Sequence, residues 1–263
     1  MQAHIIGATT TGLAAYSNRI QKVCPKVLLC EEAGEVLEAH LITALIPSIE
    51  HAILIGDHEQ LRPHISNHAL SIESKKHEKY DLDVSLFERL VNEEFNGAKM
   101  PFAKLYIQRR MHPSIASLVR GTLYPTLHDD PTTYTYPEVA GMRRRLFWLD
   151  HRNCEGSGGS METSKSNEYE AQMVLSLVRH LSQQDVYSRR DDIAILTPYL
   201  GQREKLCGLL GNEFDIIEGD QHVDDIENEM PLFEKQPVRV ATVDSFQVRS
   251  FSRIFPREFS KFI

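Results

Sequence analysis

The sequence predicts an α/β fold built on parallel sheets, and two observations support that prediction. Continuous apolar runs of strand length occur at residues 3–6, 27–29, 52–55, 146–149, 193–196 and 238–243. Between several of them lie segments such as GEVLEAHLITALI and EYEAQMVLSLVRHL, in which apolar residues recur at helical intervals of three and four. Apolar strands that alternate with helices are typical of a parallel sheet covered on both faces.

Length and composition limit the class of protein. The chain has 263 residues, enough for one large or two medium domains. With 37 acidic and 29 basic residues, its net charge of −8 argues against nucleic-acid binding by bulk charge, so such binding would need local patches. No apolar run approaches the roughly 20 residues that span a bilayer, and we expect no membrane partner. The four cysteines lack C-x-x-C spacing, which favours reduced thiols in an intracellular protein of the nucleus or cytoplasm.

Local signals mark one helix start and one loop. In the segment NEYE, Asn167 and Glu170 have the spacing of a capping box, so we expect a helix that begins after Asn167. The preceding segment NCEGSGGSMETSKSN is rich in Gly and Ser, which predicts a surface loop.

Two adjacent glutamates, Glu31 and Glu32, directly follow the apolar run VLLC. A carboxylate is costly to hold away from water unless a cation compensates it. The two acids therefore lie where the strand reaches the surface, or they bind a metal. Ligands of parallel sheets gather at the carboxyl ends of the strands, where these residues would lie.

Another polar motif, GDHEQLRP, follows the next apolar run. Gly56 and Asp57 would give a sharp exit from the strand, and Gln60 can offer its amide to a phosphate or an attacking water. An ordinary β-turn is the alternative interpretation.

Two further motifs contain candidate anion-binding groups. In LYIQRRMHPSI, Gln108 precedes Arg109 and Arg110, and the planar guanidinium of arginine suits phosphate oxygens, although a solvated arginine pair is the alternative. In VRVATVDSFQ, Thr242 and its polar neighbours could hold a nucleic-acid backbone without reading its sequence, or could form a generic exit from a strand.

In this order, the four motifs resemble those of superfamily 1 helicases of the RNA-processing type, the group typified by the nonsense-mediated-decay helicase. The family patterns D-E-A-x-E, G-D-x-x-Q-L-x-P, Q-x-R-M-x-P and T-V-D-x-F-Q are matched at residues 31–35, 56–63, 108–113 and 242–247, with Glu31 at the first Asp position. The Glu-Glu form is most similar to that of the NF-X-type zinc-finger helicases linked to RNA silencing.

The resemblance implies a fold of two incomplete RecA-like parallel-sheet domains. Residues 1–100 would be the carboxyl-terminal half of the first domain, 101–247 a partial second domain, and 248–263 an atypical tail. The phosphate-binding pattern G-x-x-x-x-G-K-[ST] does not occur in the sequence, and the family's last motif has no match after residue 247. Because that loop cradles the phosphates, we expect a fragment whose ATPase activity is weak or absent on its own.

The resemblance also implies ATP and Mg²⁺ as cofactors. Glu31 would hold the Mg²⁺, directly or through water, and Glu32 would orient and activate the attacking water. Gln60 would sense the γ-phosphate, Gln108 would contact the nucleotide, and Arg110 would act as an arginine finger from the second domain.

The expected partners are single-stranded RNA or DNA, and RNA-silencing or RNA-decay proteins. Thr9, Thr10 and Thr242 are predicted to contact the nucleic-acid strand. The basic residues 143–145 would form a further contact with it or a solvated face. Two other functions remain open at this point. One is a non-catalytic scaffold in an RNA-silencing complex. The other is a metal-dependent hydrolase that uses Glu31, Glu32 and a histidine such as His58, although the histidines lack the usual ligand spacing.

Overall fold

The computed structural model describes residues 4–74, 81–92, 94–95, 98–157, 164–189, 192–218, 235–243, 245–246 and 261–262. The chain divides into two compact units, Met1–Leu105 and Tyr106–Ile263. Both contain helices and parallel strand pairs, so the predicted α/β class is confirmed. The finer division into domains at residues 1–100, 101–247 and 248–263 stays a prediction.

A two-stranded parallel sheet organises the first unit. Strand β1 (Val27–Cys30) pairs with β2 (His51–Leu54), and Cys30 lies opposite Leu54. Helix α3 (Glu38–Ala44) connects the two strands and buries Leu41 and Ala44. The unit also contains helices α1 (Thr10–Ala15), α2 (Ser17–Val23) and α4 (Leu86–Asn92), and an antiparallel pair, β3 (Glu94–Phe95) and β4 (Ala98–Lys99).

Polar side chains fix where two of these helices begin. The hydroxyl of Thr9 accepts a hydrogen bond from the Gly12 N–H (3.0 Å) and so caps α1. Ser85 is fully buried, and its hydroxyl accepts from the Glu88 N–H (3.0 Å) at the start of α4.

The second unit opens with a short parallel pair, β5 (Ile107–Gln108) and β6 (His128–Asp129). Helix α5 (Pro113–Thr122) connects them. Its first residue is a proline, which suits that position because the N–H that proline lacks would have no partner inside the helix. A 3-10 helix, Pro131–Thr135, follows β6 and is capped by Asp130.

A four-stranded parallel sheet forms the rest of this unit. Strands β9 (Ile193–Thr197), β10 (Asp215–Glu218), β11 (Pro237–Thr242) and β12 (Lys261–Phe262) lie in the order β10-β11-β9-β12. Helices α6 (Glu168–Ser182) and α7 (Leu200–Leu210) pack on it, and a short antiparallel pair, β7 (Gly156–Ser157) and β8 (Lys165–Ser166), precedes α6. The buried core is largely apolar and is formed by Ala171, Leu175, Val178, Leu181, Tyr187, Ile193, Ile195, Leu206, Leu210, Phe214, Val238 and Val240.

Four of the six predicted strands are confirmed, as β1, β2, β9 and β11. The strands predicted at residues 3–6 and 146–149 are wrong, because residues 4–6 and 146–149 are not in strands. Apolar composition alone does not make a strand, since the backbone also needs a neighbouring strand to complete its hydrogen bonds. Trp148 is 88% exposed, which shows that this run is not buried as a strand of the sheet would be.

The two local signals have different outcomes. The segment predicted as a surface loop, residues 153–167, contains the short strands β7 and β8, and its residues 158–163 lie outside the described residues. The Asn167 side chain accepts from the Glu170 N–H (3.2 Å), so the predicted cap of α6 is confirmed. None of the four cysteines forms a disulfide. In the part of the chain that the structure describes, no helix has the length and apolar character needed to cross a membrane.

Candidate functional site

The ends of β1 and β2 meet at one edge of the first unit's sheet. The Ile55 N–H donates to the carbonyl of Cys30, and the Ala33 N–H donates to the carbonyl of Ile55, both at 2.8 Å. Because the strands are parallel, these bonds continue the ladder past the strand ends and hold the two following loops together.

Two glycines allow this close approach. A Cβ atom on Gly34 would lie 2.5 Å from the carbonyl oxygen of Asp57, and a Cβ on Gly56 would lie 2.7 Å from the nitrogen of Gly34. Both contacts are with backbone atoms that cannot rotate away. The crossing of the two loops therefore requires glycine on each side.

The two loops line a cavity of about 180 Å³. Its lining residues come from both strand ends: Glu31, Glu32, Ile55, Gly56, Asp57 and Gln60. The structure thus brings three predicted site residues, Glu31, Glu32 and Gln60, to one place. It also adds the Asp57 side chain, which the sequence had suggested only as part of a turn. Glu31 and Glu32 are exposed, so the chain reaches the surface at these acids.

The backbone of Glu32 is in the left-handed region, with φ of 53°. Few residues other than glycine adopt this conformation, and holding one there costs on the order of 1 kcal/mol or more. The Glu35 N–H donates to the Glu32 carbonyl (2.9 Å) and closes the turn. In this turn after β1, the backbone therefore sets the direction of the Cα–Cβ bond of Glu32.

Asp57 holds Gln60 in the cavity. One Asp57 carboxylate oxygen accepts from the Glu59 N–H, and the other accepts from the Gln60 side-chain amide, each at 3.0 Å. Asp57 thus fixes both the turn and the glutamine side chain that it presents.

An ion pair anchors the far end of the same loop. Arg62 donates two hydrogen bonds to the carboxylate of Glu88 in α4, at 2.7 and 2.8 Å. Nearby, Asp83 is 5% exposed and accepts from the Ser71 hydroxyl and the Ile72 N–H. Burial on its own would raise the pKa of the Asp83 carboxyl, but these hydrogen bonds and Arg62 lower it overall.

In the second unit, Gln108 locks the turn that follows β5. Its side-chain oxygen accepts from the Arg110 and Met111 N–H groups, at 3.0 and 2.7 Å. Its side-chain nitrogen donates to the Met111 carbonyl and to Asp129, at 2.7 and 2.8 Å. Gln108 was predicted to contact a nucleotide, and the structure shows its amide committed to the loop itself.

The two consecutive arginines differ in their surroundings. Arg109 donates to Asp130 (2.8 Å), and the Tyr136 hydroxyl donates to the carbonyl of Arg109. Within the described residues, the Arg110 guanidinium has no hydrogen bond or ion pair, and Arg110 is exposed. A charged group of this kind is available for an anionic ligand.

The acids beside the loop are also held in place. Asp129 pairs with Arg120 (2.6 Å) and accepts from Gln108. Burial raises the pKa of Asp129, yet Gln108 and Arg120 outweigh it and lower the pKa overall. The pKa of Asp130 is lowered mainly by its hydrogen bonds from Thr132, with Arg109 adding to the effect.

The three threonines that were predicted to contact a nucleic-acid strand have structural positions within their own units. Thr9 caps α1, and Thr10 is the first residue of that helix. Thr242 is 7% exposed and shares a hydrogen bond with the Ser245 hydroxyl (2.7 Å). Two further residues of the same motif, Asp244 and Gln247, lie outside the described residues.

One arginine of the basic segment at residues 143–145 is already engaged in hydrogen bonds within the protein. Arg145 donates to the carbonyl of Tyr136 (2.7 Å) and to the carboxylate of Glu138 (2.8 Å), and its side chain is 12% exposed. One of the three arginines therefore stabilises the loop at residues 136–138.

The acidic cavity suits Mg²⁺ that arrives with a nucleotide. Mg²⁺ takes oxygen ligands, and it is commonly held by one or two carboxylates together with phosphate oxygens and water. Glu31 and Glu32 supply carboxylates of that kind beside the cavity. No group of three or more His, Cys, Asp or Glu side chains within the described ranges could hold a metal ion, so a hydrolase site built on Glu31, Glu32 and His58 finds no support there.

Comparison with known proteins identifies the family. A family model described as "AAA domain" matches residues 82–255, more than half of the chain, and a second model of the same description matches residues 1–68. The chain belongs to the AAA-domain family. The matched ranges include the Glu31–Gln60 cavity and the Gln108–Met111 loop, and the family's RecA-like α/β fold agrees with the observed architecture.

Relatives of this AAA-domain chain confirm the resemblance to superfamily 1 helicases. The NFX1-type zinc finger-containing protein 1 homolog of Caenorhabditis elegans is 37% identical over 92% of the chain and 9% of that protein. The helicase required for RNAi-mediated heterochromatin assembly 1 of Schizosaccharomyces pombe is 36% identical over 93% of the chain and 21% of that protein. The ATP-dependent helicase upf1 of the same yeast is 29% identical over 94% of the chain and 24% of that protein. The chain thus spans less than a quarter of the length of each.

Proposed function

We propose that the chain forms part of the motor of an ATP-dependent helicase that couples ATP hydrolysis to movement along a single strand, RNA more than DNA. The main support for this proposal is the cavity at the ends of β1 and β2, which is lined by Glu31, Glu32 and Gln60. Membership of the AAA-domain family, and relatives named as helicases, support the same function. The name of the Schizosaccharomyces pombe helicase required for RNAi-mediated heterochromatin assembly 1 supports RNA-silencing proteins as partners. RNA-decay proteins are proposed from the resemblance of the motifs to those of the nonsense-mediated-decay helicase.

The proposed roles follow from the needs of phosphoryl transfer, in which positioning and charge stabilisation dominate. Glu31 would hold the Mg²⁺ that accompanies ATP. Glu32 would orient and activate the attacking water, and its place in the lining of the cavity supports that role. Gln60, held by Asp57, would detect the γ-phosphate.

Arg110 is the proposed arginine finger. Its guanidinium has no ion-pair partner among the described residues, whereas Arg109 is paired with Asp130. A free guanidinium can stabilise the charge that develops on the transferred phosphoryl group. Gln108 would act on the nucleotide indirectly, because its amide shapes the Arg110 loop.

Thr9, Thr10 and Thr242 are the proposed contacts to the nucleic-acid strand. Sequence-tolerant binding of a single strand relies on contacts to the nucleic-acid backbone and on stacking, and hydroxyl side chains can make the former. We also propose an intracellular location, for which four unpaired cysteines are suitable.

Phosphate release by the 263-residue chain, with and without single-stranded RNA, tests this function. The sequence contains no G-x-x-x-x-G-K-[ST] loop, so we expect turnover that is absent or well below about 1 s⁻¹, a normal enzymatic rate. Glu32→Gln should abolish any RNA-stimulated turnover that the parent chain shows. Glu73→Gln, which removes one negative charge elsewhere in the same unit, is the matched control and should leave it unchanged.

Three outcomes would count against parts of the proposal. Turnover near 1 s⁻¹ or faster would contradict the expected weakness of the isolated chain. Equal turnover of the parent chain and Glu32→Gln would contradict the role of Glu32. RNA binding that is unaffected by nucleotide, in a chain without turnover, would favour the scaffold instead.

A further inference from the structure

Two acidic residues outside the four sequence motifs, Asp129 and Asp130, contact the segment that carries Arg110. Asp129 ends β6, which pairs with β5, and Asp130 follows it directly. Asp129 contacts Gln108, whereas Asp130 contacts Arg109. Each acid therefore contacts a different residue at the end of β5, just before Arg110.

Asp129 acts on the shape of the turn. It accepts a hydrogen bond from the Gln108 amide nitrogen, and Arg120 of α5 holds the carboxylate from another side. With its nitrogen fixed in this way, Gln108 directs its oxygen towards the N–H groups of Arg110 and Met111. The Asp129 side chain is only 7% exposed, so water does not compete strongly for these bonds.

Asp130 acts on the charge of the turn. Its carboxylate is held by the N–H and hydroxyl of Thr132, at 3.0 and 2.7 Å, and therefore has a fixed position. From there it accepts the hydrogen bond of the Arg109 guanidinium. The Tyr136 hydroxyl, which donates to the Arg109 carbonyl, orients the same residue from the backbone side.

We propose that Asp129 and Asp130 are positioning residues that select Arg110 over Arg109. Asp129 fixes the turn through Gln108, and Asp130 neutralises Arg109, so that Arg110 is the arginine presented to an anionic ligand. The identity of that ligand as the γ-phosphate of ATP rests on the proposed function. The selection itself depends only on the contacts within the second unit.

Chemical modification of arginine tests the selection in the chain as it is. Phenylglyoxal reacts with accessible guanidinium groups, and mass spectrometry gives the rate at each residue. We expect Arg109 to react about two- to fivefold more slowly than Arg110, the size of effect that an exposed ion pair can give. Equal rates in the unmodified sequence would overturn the proposal.

Asp130→Asn keeps an oxygen that can cap the 3-10 helix but removes the charge. It should raise the Arg109 rate to that of Arg110, while Arg120 and Arg145, both engaged in ion pairs, keep their slow rates. Loosening of the fold alone would instead accelerate all of them. Asp150→Asn is the matched control, since Asp150 has no ion pair within the described residues, and it should change none of the rates. An unchanged Arg109 rate in Asp130→Asn would overturn the proposal.

A salt titration repeats the test without any substitution. At 1 M KCl the Debye length falls to about 3 Å, and the exposed Arg109–Asp130 pair should lose most of its protection. The more enclosed Arg145 should keep its slow rate. A rate difference between Arg109 and Arg110 that is insensitive to salt would contradict neutralisation by Asp130.

Protection by nucleotide separates this inference from the proposed function. Mg²⁺ with ADP and beryllium fluoride, a mimic of ATP, should slow modification of Arg110 more than that of Arg109. If Arg110 stays unprotected while the difference between the two arginines persists, the role of Arg110 at the nucleotide fails and the neutralisation of Arg109 by Asp130 stands.

Discussion

Gly34 is a position where a single methyl group would separate two loops. The Cβ of an alanine there would lie 2.5 Å from the Asp57 carbonyl oxygen, closer than atoms in real structures approach. We expect Gly34→Ala to destabilise the first unit by about 1–3 kcal/mol, the usual cost of overpacking. Chemical unfolding, with hydrogen exchange at the β1 and β2 amides to report on this unit, measures the change.

Gly208 provides the control for that substitution. It lies in α7, and apart from its chain neighbours and the backbone of its own helix, no atom is within 4 Å of the Cβ that an alanine would add. Gly208→Ala should therefore stabilise the protein by up to about 1 kcal/mol through helix propensity. Equal effects of the two substitutions would show that the backbone crossing at Gly34 is not tight.

Residue identities could be predicted from sequence where a motif is short and local. Glu31, Glu32 and Gln60 lie beside strand ends, and the parallel pairing of β1 and β2 brings them together. The partnership of Arg109 with Asp130 could not be predicted, because it joins residues 21 positions apart and follows no repeating pattern. Only the pairing of β5 with β6 creates that contact.

At the scale of elements, α6 and α7 are joined by a buried polar contact. The Gln202 side chain accepts from the Asn167 N–H (2.7 Å) and donates to the Asn167 carbonyl (3.2 Å). Both residues are buried. The cap of α6 is thus fixed by a side chain near the start of α7.

Replacement of Gln202 by leucine tests the importance of this contact. The Asn167 N–H would lose its partner inside the protein, whereas the Asn167 carbonyl would keep the hydrogen bond from the Ala171 N–H (3.1 Å). A buried unsatisfied group costs about 1–3 kcal/mol. We expect a loss of that size in the free energy of unfolding, measured by urea denaturation. Gln172→Leu, on the exposed side of α6, should change it by less than about 0.5 kcal/mol. A similar loss in both variants would contradict a special role for Gln202.

Elements defined by local signals were predicted better than elements defined by distant partners. The start of α6 follows from Asn167 and Glu170, which lie within one turn of each other. The run at residues 146–149 has the composition of a strand but not its structure, since a strand also depends on a neighbour far away in sequence. Composition cannot reveal whether that neighbour is in place.

For the whole molecule, the alternation of apolar strands and helices was sufficient to predict the α/β class. The order of the strands was not predictable in the same way. In the larger sheet, β9 lies between β11 and β12, an arrangement set by which strands pack together rather than by their order in the chain.

Acid stability is a property of the molecule to which Asp129 contributes. Its pKa is lowered in the folded state, so it stabilises the protein above about pH 4, the range of an ordinary aspartate, and the contribution is lost as pH falls through the lowered value. The difference in free energy of unfolding between the parent chain and Asp129→Asn should be largest near neutral pH and shrink towards pH 3. Urea denaturation across this range measures it, and a constant difference would contradict the assignment.

The crossing of the loops after β1 and β2 should also make substitutions at two positions depend on each other during evolution. A side chain at either Gly34 or Gly56 forces the same two backbone segments apart, so the second substitution should cost less once the first has occurred. The two positions would then behave as one unit under selection. In a pairwise mutational scan, tolerated changes at Gly34 should be enriched among variants that also change Gly56.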